Sequence, residues 1–332
     1  MKTLTHLDAP IKVFGAPFFE EKRIFERLPK HLIEELEYGD KLGRRCPGAR
    51  IGFRTDAPYF DIEITLESMS VDIGMAIYSC QSVEVRLGER TSSRFAALVS
   101  PKNYQTLTYG QRINKSAEME EVMLYLPRNE IVTEVKLSFP DDAVIEAPTP
   151  YRYGPVLFYG SSITEGGCAC RMTNAYNALL SNRLDMDYYN FGFSGSARGQ
   201  LPMADYINTF DIKALVYDYD YNSPSVEHLS ETHEPFFKRI REKHPDLPVI
   251  MMGRPNFEYI PDAAQRREVI YKTYRNAVES GDKNVYYIDS ETFFGDADRE
   301  QCTIDRTHPN DIGFYRMANA IEPVLKQALG IK

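Results

Sequence analysis

An ester carbonyl yields to a serine hydroxyl when a neighbouring base takes the proton and a carboxylate holds that base in place. The chain of 332 residues has six histidines to draw on: His6, His31, His228, His233, His244 and His308. Of these, His308 alone follows a late strand pattern and has an acid three residues before it. In Asp305-Arg306-Thr307-His308 one turn folds the Asp305 carboxylate back to Nδ1 of the imidazole. That fixes the tautomer and leaves Nε2 for a hydroxyl. The expected nucleophile is Ser162, in Gly160-Ser161-Ser162-Ile163-Thr164-Glu165-Gly166-Gly167. The oxyanion formed during attack needs aligned donors. The candidates are the backbone N–H of Ser162, the backbone N–H of Gly195 in Gly192-Phe193-Ser194-Gly195-Ser196, and the side-chain amide of Asn222 in Asp218-Tyr219-Asp220-Tyr221-Asn222. Each has a plainer meaning: a cap serine, a turn glycine, an asparagine capping the helix after Pro224, a surface ion pair. Their conjunction, in the order Ser, Gly, Asn, Asp-x-x-His, points to acyl chemistry.

Groups so far apart in sequence meet only if strand ends bring them together. From residue 155 short apolar runs alternate with helical patterns. The runs are Val156-Leu157-Phe158-Tyr159, Tyr188-Tyr189-Asn190-Phe191, Ala214-Leu215-Val216-Tyr217, Val249-Ile250-Met251-Met252 and Val285-Tyr286-Tyr287-Ile288. Near-continuous apolarity fits strands covered on both faces, as in a parallel sheet. Helices are expected near 173–184, 226–243 and 262–280. A last helix carries the stripe Met317, Ile321, Val324, Leu325 and Ala328. The result is a doubly wound α/β domain, and such sheets bind ligands outside the carboxyl ends of their strands. All four candidate blocks fall there.

Residues 47–146 read differently. Tyr59-Phe60-Asp61-Ile62-Glu63-Ile64-Thr65-Leu66 and Val132-Thr133-Glu134-Val135-Lys136-Leu137-Ser138-Phe139 alternate apolar and polar residues, with turn residues between such runs. This is the pattern of an antiparallel sandwich. An earlier stretch, about 18–37, is expected to be partly helical and interrupted at Pro29. The Pro- and Gly-rich stretch Ala147–Pro155 reads as the joint. The expected division is 1–150 for a β-sandwich accessory domain and 151–332 for the catalytic domain.

Composition narrows the partners. There are 39 basic and 48 acidic residues, a formal net charge of -9, which repels phosphate backbones and argues against nucleic acid. No apolar run approaches the ~18 residues that span a bilayer, and the first residues carry no apolar leader, so neither a membrane partner nor secretion is expected. The five cysteines, Cys46, Cys80, Cys168, Cys170 and Cys302, are too few and scattered for a disulfide framework. A reducing, cytoplasmic location is expected, with Cys168 and Cys170 as small buried thiols beside a turn. No metal and no cofactor are expected: there is no His-Glu-x-x-His, and His228 and His233 are wrongly spaced for one helical face.

The four blocks, in that order, resemble the SGNH hydrolases, also called the GDSL esterase/lipase superfamily, over about residues 155–330. Gly166-Gly167-Cys168-Ala169 and Gly313-Phe314-Tyr315-Arg316-Met317-Ala318 resemble the branch with an N-terminal β-sandwich, as does Gly74-Met75-Ala76-Ile77-Tyr78. The resemblance implies a flavodoxin-like parallel sheet preceded by a jelly-roll-like sandwich. It also implies a Ser162–His308–Asp305 triad with an oxyanion hole of Ser162, Gly195 and Asn222. Two departures stand out. Ser161 occupies the position where the superfamily usually has Asp, and the third block is not the common Gly-x-Asn-Asp. No Gly-x-Ser-x-Gly elbow is present.

Branches with an attached sandwich include carbohydrate esterases that remove small acyl groups, often acetyl. A small-molecule or oligosaccharide ester is therefore the expected substrate. Tyr219 and Tyr221 are candidates to stack on a sugar, although sheet packing explains them equally. Arg198, Arg254 and Arg306 are candidates to line the cleft, with surface ion pairs as the default. The alternatives are an acyltransferase, a lipase-type esterase on another substrate, and a glycan-binding protein with an inactive hydrolase domain.

Overall fold

The computed structural model describes residues 1–255 and 261–332. Alternation of apolar and polar residues builds the first half. Sheet one contains β1 (Lys2–Thr5), while β2 (Lys12–Phe14) opens sheet two. Short helices α1 (Phe19–Lys22), α2 (Lys30–Glu35) and α3 (Asp40–Arg44) follow. The stretch is partly helical, but its break comes earlier than Pro29: α1 ends at its C-cap Arg23, in the left-handed region with φ of 59°, and Pro29 stands at the N-cap of α2. Then come β3 (Arg50–Thr55), β4 (Tyr59–Leu66), α4 (Ile77–Cys80), β5 (Val83–Leu87), β6 (Arg94–Val99), β7 (Thr108–Asn114), β8 (Glu120–Tyr125), β9 (Val132–Phe139) and β10 (Ile145–Glu146). They form two antiparallel sheets, β1-β9-β4-β7 and β10-β3-β8-β5-β6, with β2 beside β3. In β4 every second residue, Phe60, Ile62, Ile64 and Leu66, is buried in the core between the sheets.

The second half alternates strand and helix: β11 (Tyr153–Gly160), α5 (Ser162–Glu165), α6 (Tyr176–Leu184), β12 (Met186–Gly192), α7 (Leu201–Ile207), β13 (Ala214–Asp218), α8 (Val226–Lys243), β14 (Val249–Met252), α9 (Ala263–Glu279), β15 (Val285–Ile288) and α10 (Asp311–Leu329). The strands are parallel, in the order β12-β11-β13-β14-β15. This is the doubly wound arrangement, with β11 at the centre of the reversal. Helices α6 and α10 cover one face and α7, α8 and α9 the other. Residues of β13 and β14 are buried throughout, as their apolar runs require.

Packing does not follow chain order. Leu28, Leu32, Ile33, Leu36 and Tyr38, which lie between β2 and β3, share the core of α7, α8 and the parallel sheet. Cys168 is buried but Cys170 is exposed, which corrects the expectation of two buried thiols. Among the described residues no helix is long and apolar enough to cross a membrane.

Candidate active site

Register lines up the first three blocks. Gly160, the last residue of β11, pairs with Gly192 of β12 on one side and Asp218 of β13 on the other. Ser162, Gly195 and Asn222 therefore leave three adjacent strand ends at one level. The glycines permit the close approach: a Cβ on Gly192 would stand 2.1 Å from the Glu165 nitrogen, and one on Gly160 would stand 2.2 Å from the Asp218 carbonyl. Ser161 caps α5, its hydroxyl accepting the Ile163 N–H at 3.2 Å. Ser162 is then the first helical residue, whose N–H has no intrahelical acceptor and is open to a ligand.

The fourth block arrives from the loop before α10. Asp305 Oδ1 accepts the backbone N–H groups of Thr307 and His308 at 2.9 and 2.7 Å. Arg306 takes the left-handed φ of 65° that this turn needs. Asn310 fixes the far end by accepting the Ile312 and Gly313 N–H groups and donating 2.7 Å to the Gln301 carbonyl. Between these anchors the His308 ring is held on both sides. Its Nδ1 lies 2.7 Å from Asp305 Oδ2, and its Nε2 lies 2.9 Å from Ser162 Oγ. The carboxylate accepts at Nδ1, so Nε2 is the acceptor for the serine hydroxyl. Burial disfavours ionised Asp305, but the His308 and Thr307 N–H groups and the imidazole outweigh it and hold its pKa below the ordinary value.

Two of the oxyanion candidates are linked at the Gly192–Ser196 turn. Gly195 is exposed, with φ of 70°. The Asn222 amide donates 2.9 Å to the Phe193 carbonyl, which ties the third block to the second. Its second N–H is available to a ligand. Asn222 does not cap the helix after Pro224; Ser225 does.

The family models agree with this architecture. Residues 154–326 match the GDSL-like lipase/acylhydrolase family, and residues 2–145 match the N-terminal domain of SGNH-hydrolase-type esterases. The chain belongs to the GDSL-like lipase/acylhydrolase family. It is an ester hydrolase by membership. Among solved structures, a GDSL-like lipase of Bacteroides ovatus superposes with TM-score 0.85 at 24% identity, covering 100% of this chain and 98% of that one. The salicylyl-acyltransferase of a tetracycline biosynthetic pathway gives 0.80 at 19%, covering 100% and 99%. A family two carbohydrate esterase of Clostridium thermocellum, complexed with cellohexaose, gives 0.64 at 15%, covering 86% and 94%. These likenesses concern the fold. No curated protein matches the sequence.

The remaining expectations meet this GDSL-like hydrolase differently. Arg198 lies exposed on the rim, its Nη2 3.3 Å from the Gly195 carbonyl. Arg254 does not present its charge to the cleft: it is buried, forked onto Asp220, and stacked at 4.3 Å over a half-buried Tyr221. Tyr219 is a core residue, 1% exposed and hydrogen-bonded to Thr232, so it is not available to a sugar. Arg306 is exposed. Sequence reasoning missed the buried charges behind the site: Asp220 with Arg254 and Arg266, and Glu165 with Arg45 and Arg27. The signal was the presence of charged residues inside otherwise apolar or glycine-rich blocks, where a charge survives only when paired.

Proposed function

We propose that this hydrolase is a serine esterase that works through an acyl-enzyme. Ser162 attacks the ester carbonyl as His308 Nε2 takes its proton, and Asp305 orients the ring and stabilises the imidazolium. The N–H groups of Ser162 and Gly195 and the amide of Asn222 receive the oxyanion. Collapse of the tetrahedral intermediate expels the alcohol, which takes the proton from His308. Water, activated by the same imidazole, then releases the acid and regenerates Ser162. The observation that carries this reading is the unbroken line of hydrogen bonds from Ser162 through His308 to Asp305, 2.9 and 2.7 Å.

The substrate reading is a small acyl ester, acetyl above all, on a carbohydrate, with residues 1–150 as accessory domain and 151–332 as catalytic domain. Side-chain exposures of 25% for His308 and 46% for Asp305 suit a bulky polar substrate lying across an open rim. The carbohydrate esterase neighbours support the same reading. A second reading, acyl transfer to an alcohol other than water, draws on the full-length likeness to the salicylyl-acyltransferase. Labelling by a fluorophosphonate tests the nucleophile: the native chain should label and Ser162→Ala should not. A panel of p-nitrophenyl esters tests the acyl group. Preference for acetate supports deacetylation, and preference for eight or more carbons contradicts it. Release of p-nitrophenol without matching release of acid, when a sugar alcohol is added, would favour transfer.

A further inference from the structure

One buried carboxylate joins the nucleophile helix to the oxyanion turn. Glu165 stands three residues after Ser162 on α5 and is 3% exposed. Its two oxygens accept Nε and Nη2 of Arg45 at 2.7 and 2.8 Å, and Oε2 also accepts the Ser194 hydroxyl at 2.6 Å. Arg27 Nη2 approaches Oε1 at 3.5 Å. Arg27 is itself fully buried and reaches the turn directly. Its Nη1 donates to the carbonyls of Asn190 and Gly192 at 3.1 and 2.6 Å, and its guanidinium lies 3.9 Å over the Phe193 ring. Two arginines from the segment between β2 and β3 thus grip both halves of the candidate site.

We propose that Ser194, held by Glu165 and its arginines, is a positioning residue that aims the Gly195 N–H at the oxyanion. Gly195 needs such help. It is exposed, and a Cβ built on it would meet no atom of the described residues within 4 Å, so their packing on that side does not hold it. The neighbouring Ser194 hydroxyl is bonded to a charged acceptor, which makes the link short and strong. Burial works against the ionised form of Glu165, yet Arg45, Arg27 and Ser194 together hold its pKa below the ordinary value. A donor displaced by about 1 Å loses much of its effect in the transition state, while ground-state binding changes little. The proposal rests on the serine-esterase reading.

The test uses the full chain and p-nitrophenyl acetate. Ser194→Ala should lower kcat about tenfold, less than the ~10²–10³ of losing a donor outright. KM should stay within about twofold, because the contact acts on the transition state. The acid limb of the kcat/KM profile should not move, because Ser162, His308 and Asp305 are untouched. The isosteric pair Ser194→Thr and Ser194→Val isolates the hydroxyl if the alanine variant melts early: Thr should outpace Val about tenfold. Equal kcat in Thr and Val variants, native kcat in Ser194→Ala, or a loss carried by KM would overturn the proposal. Failure of the parent reading is visible elsewhere, as native turnover by Ser162→Ala.

Discussion

Asp305 Oδ2 lies 2.7 Å from Nδ1 of His308 although the aspartate side chain is 46% exposed. The other oxygen closes the turn by accepting the His308 and Thr307 N–H groups. The residue therefore does two separable things. Asp305→Asn retains an oxygen for the turn and loses the charge beside the ring. Asp305→Ala loses both. A buried triad aspartate is worth ~10⁴ in kcat. Water screens Asp305 and can substitute in part, so Asp305→Asn should cost about 10²- to 10³-fold, and Asp305→Ala more, with a lower melting temperature. Kinetics and thermal melts of both variants check the order. Equal losses would remove the two-part account.

Removing the nucleophile or its base should be far more costly. Ser162→Ala and His308→Ala should each lower kcat by at least about 10⁴-fold in well-folded protein. The double variant should lose almost nothing further, because the two residues act as one unit. Steady-state rates of the three proteins decide it: losses that multiply would mean that Ser162 and His308 act independently.

The candidate groups were legible because their types recur in one order, Ser, Gly and Asn after successive strands and Asp-x-x-His before the last helix. Asp305-x-x-His308 and the glycine-rich turns need little context: a carboxylate three residues from a histidine reaches it within one turn. The strands were legible as well, since alternation in Val132–Phe139 and continuity in Ala214–Asp218 follow from burial on one face or two. The support was not. Nothing local announces that Arg45 meets Glu165, 120 positions away, or that Leu32 and Tyr38 pack against the parallel sheet. The same distance in sequence hides that Arg254 pairs with Asp220 and that Tyr219 packs in the core, so that of the two readings open for each the plainer holds. A strand-end position says that a side chain is near the site, but whether it faces substrate or core is decided by partners far away in sequence.

Two buried carboxyls should give stability opposite pH dependences. Asp218 is buried, its Oδ2 accepts from Thr164 at 3.3 Å, and its Oδ1 has no partner among the described residues. Burial, then the proximity of Asp220, raises its pKa well above 3.8. The folded chain keeps a proton that the unfolded chain gives up, so this contribution is full below pH 3.8 and declines as pH rises toward the folded value. Glu165 is depressed below 4.5, so its contribution is full above that pH and is lost as pH falls through the folded value. Asp218→Asn should flatten the decline on the alkaline side, and Glu165→Gln should flatten the loss on the acid side. Urea denaturation across pH 3 to 9 reads both, and an unchanged slope in Asp218→Asn would show that this carboxyl is ionised in the folded state.

Asn222 depends on Asp220 two residues before it. Arg254 donates through Nε and Nη2 to the two carboxylate oxygens at 3.0 and 3.1 Å, and Arg266 donates to Oδ1 at 3.2 Å. Both guanidinium groups also reach the Asp220 carbonyl, at 2.9 and 3.2 Å. The turn bearing Asn222 is thus fastened by two cations. A lysine keeps the charge but not the fork. Arg254→Ala should destabilise by less than the about 3–5 kcal/mol of leaving a buried charge alone, because Arg266 still pairs with Asp220. Arg254→Lys should fold and lower kcat about three- to tenfold, by letting Asn222 drift from the oxyanion. Asn222→Ala alone should cost about 10²- to 10³-fold. Because the arginine acts through Asn222, Arg254→Lys added to Asn222→Ala should slow the enzyme no further. A full additional loss in that double variant would mean that Arg254 serves the reaction by a route other than Asn222.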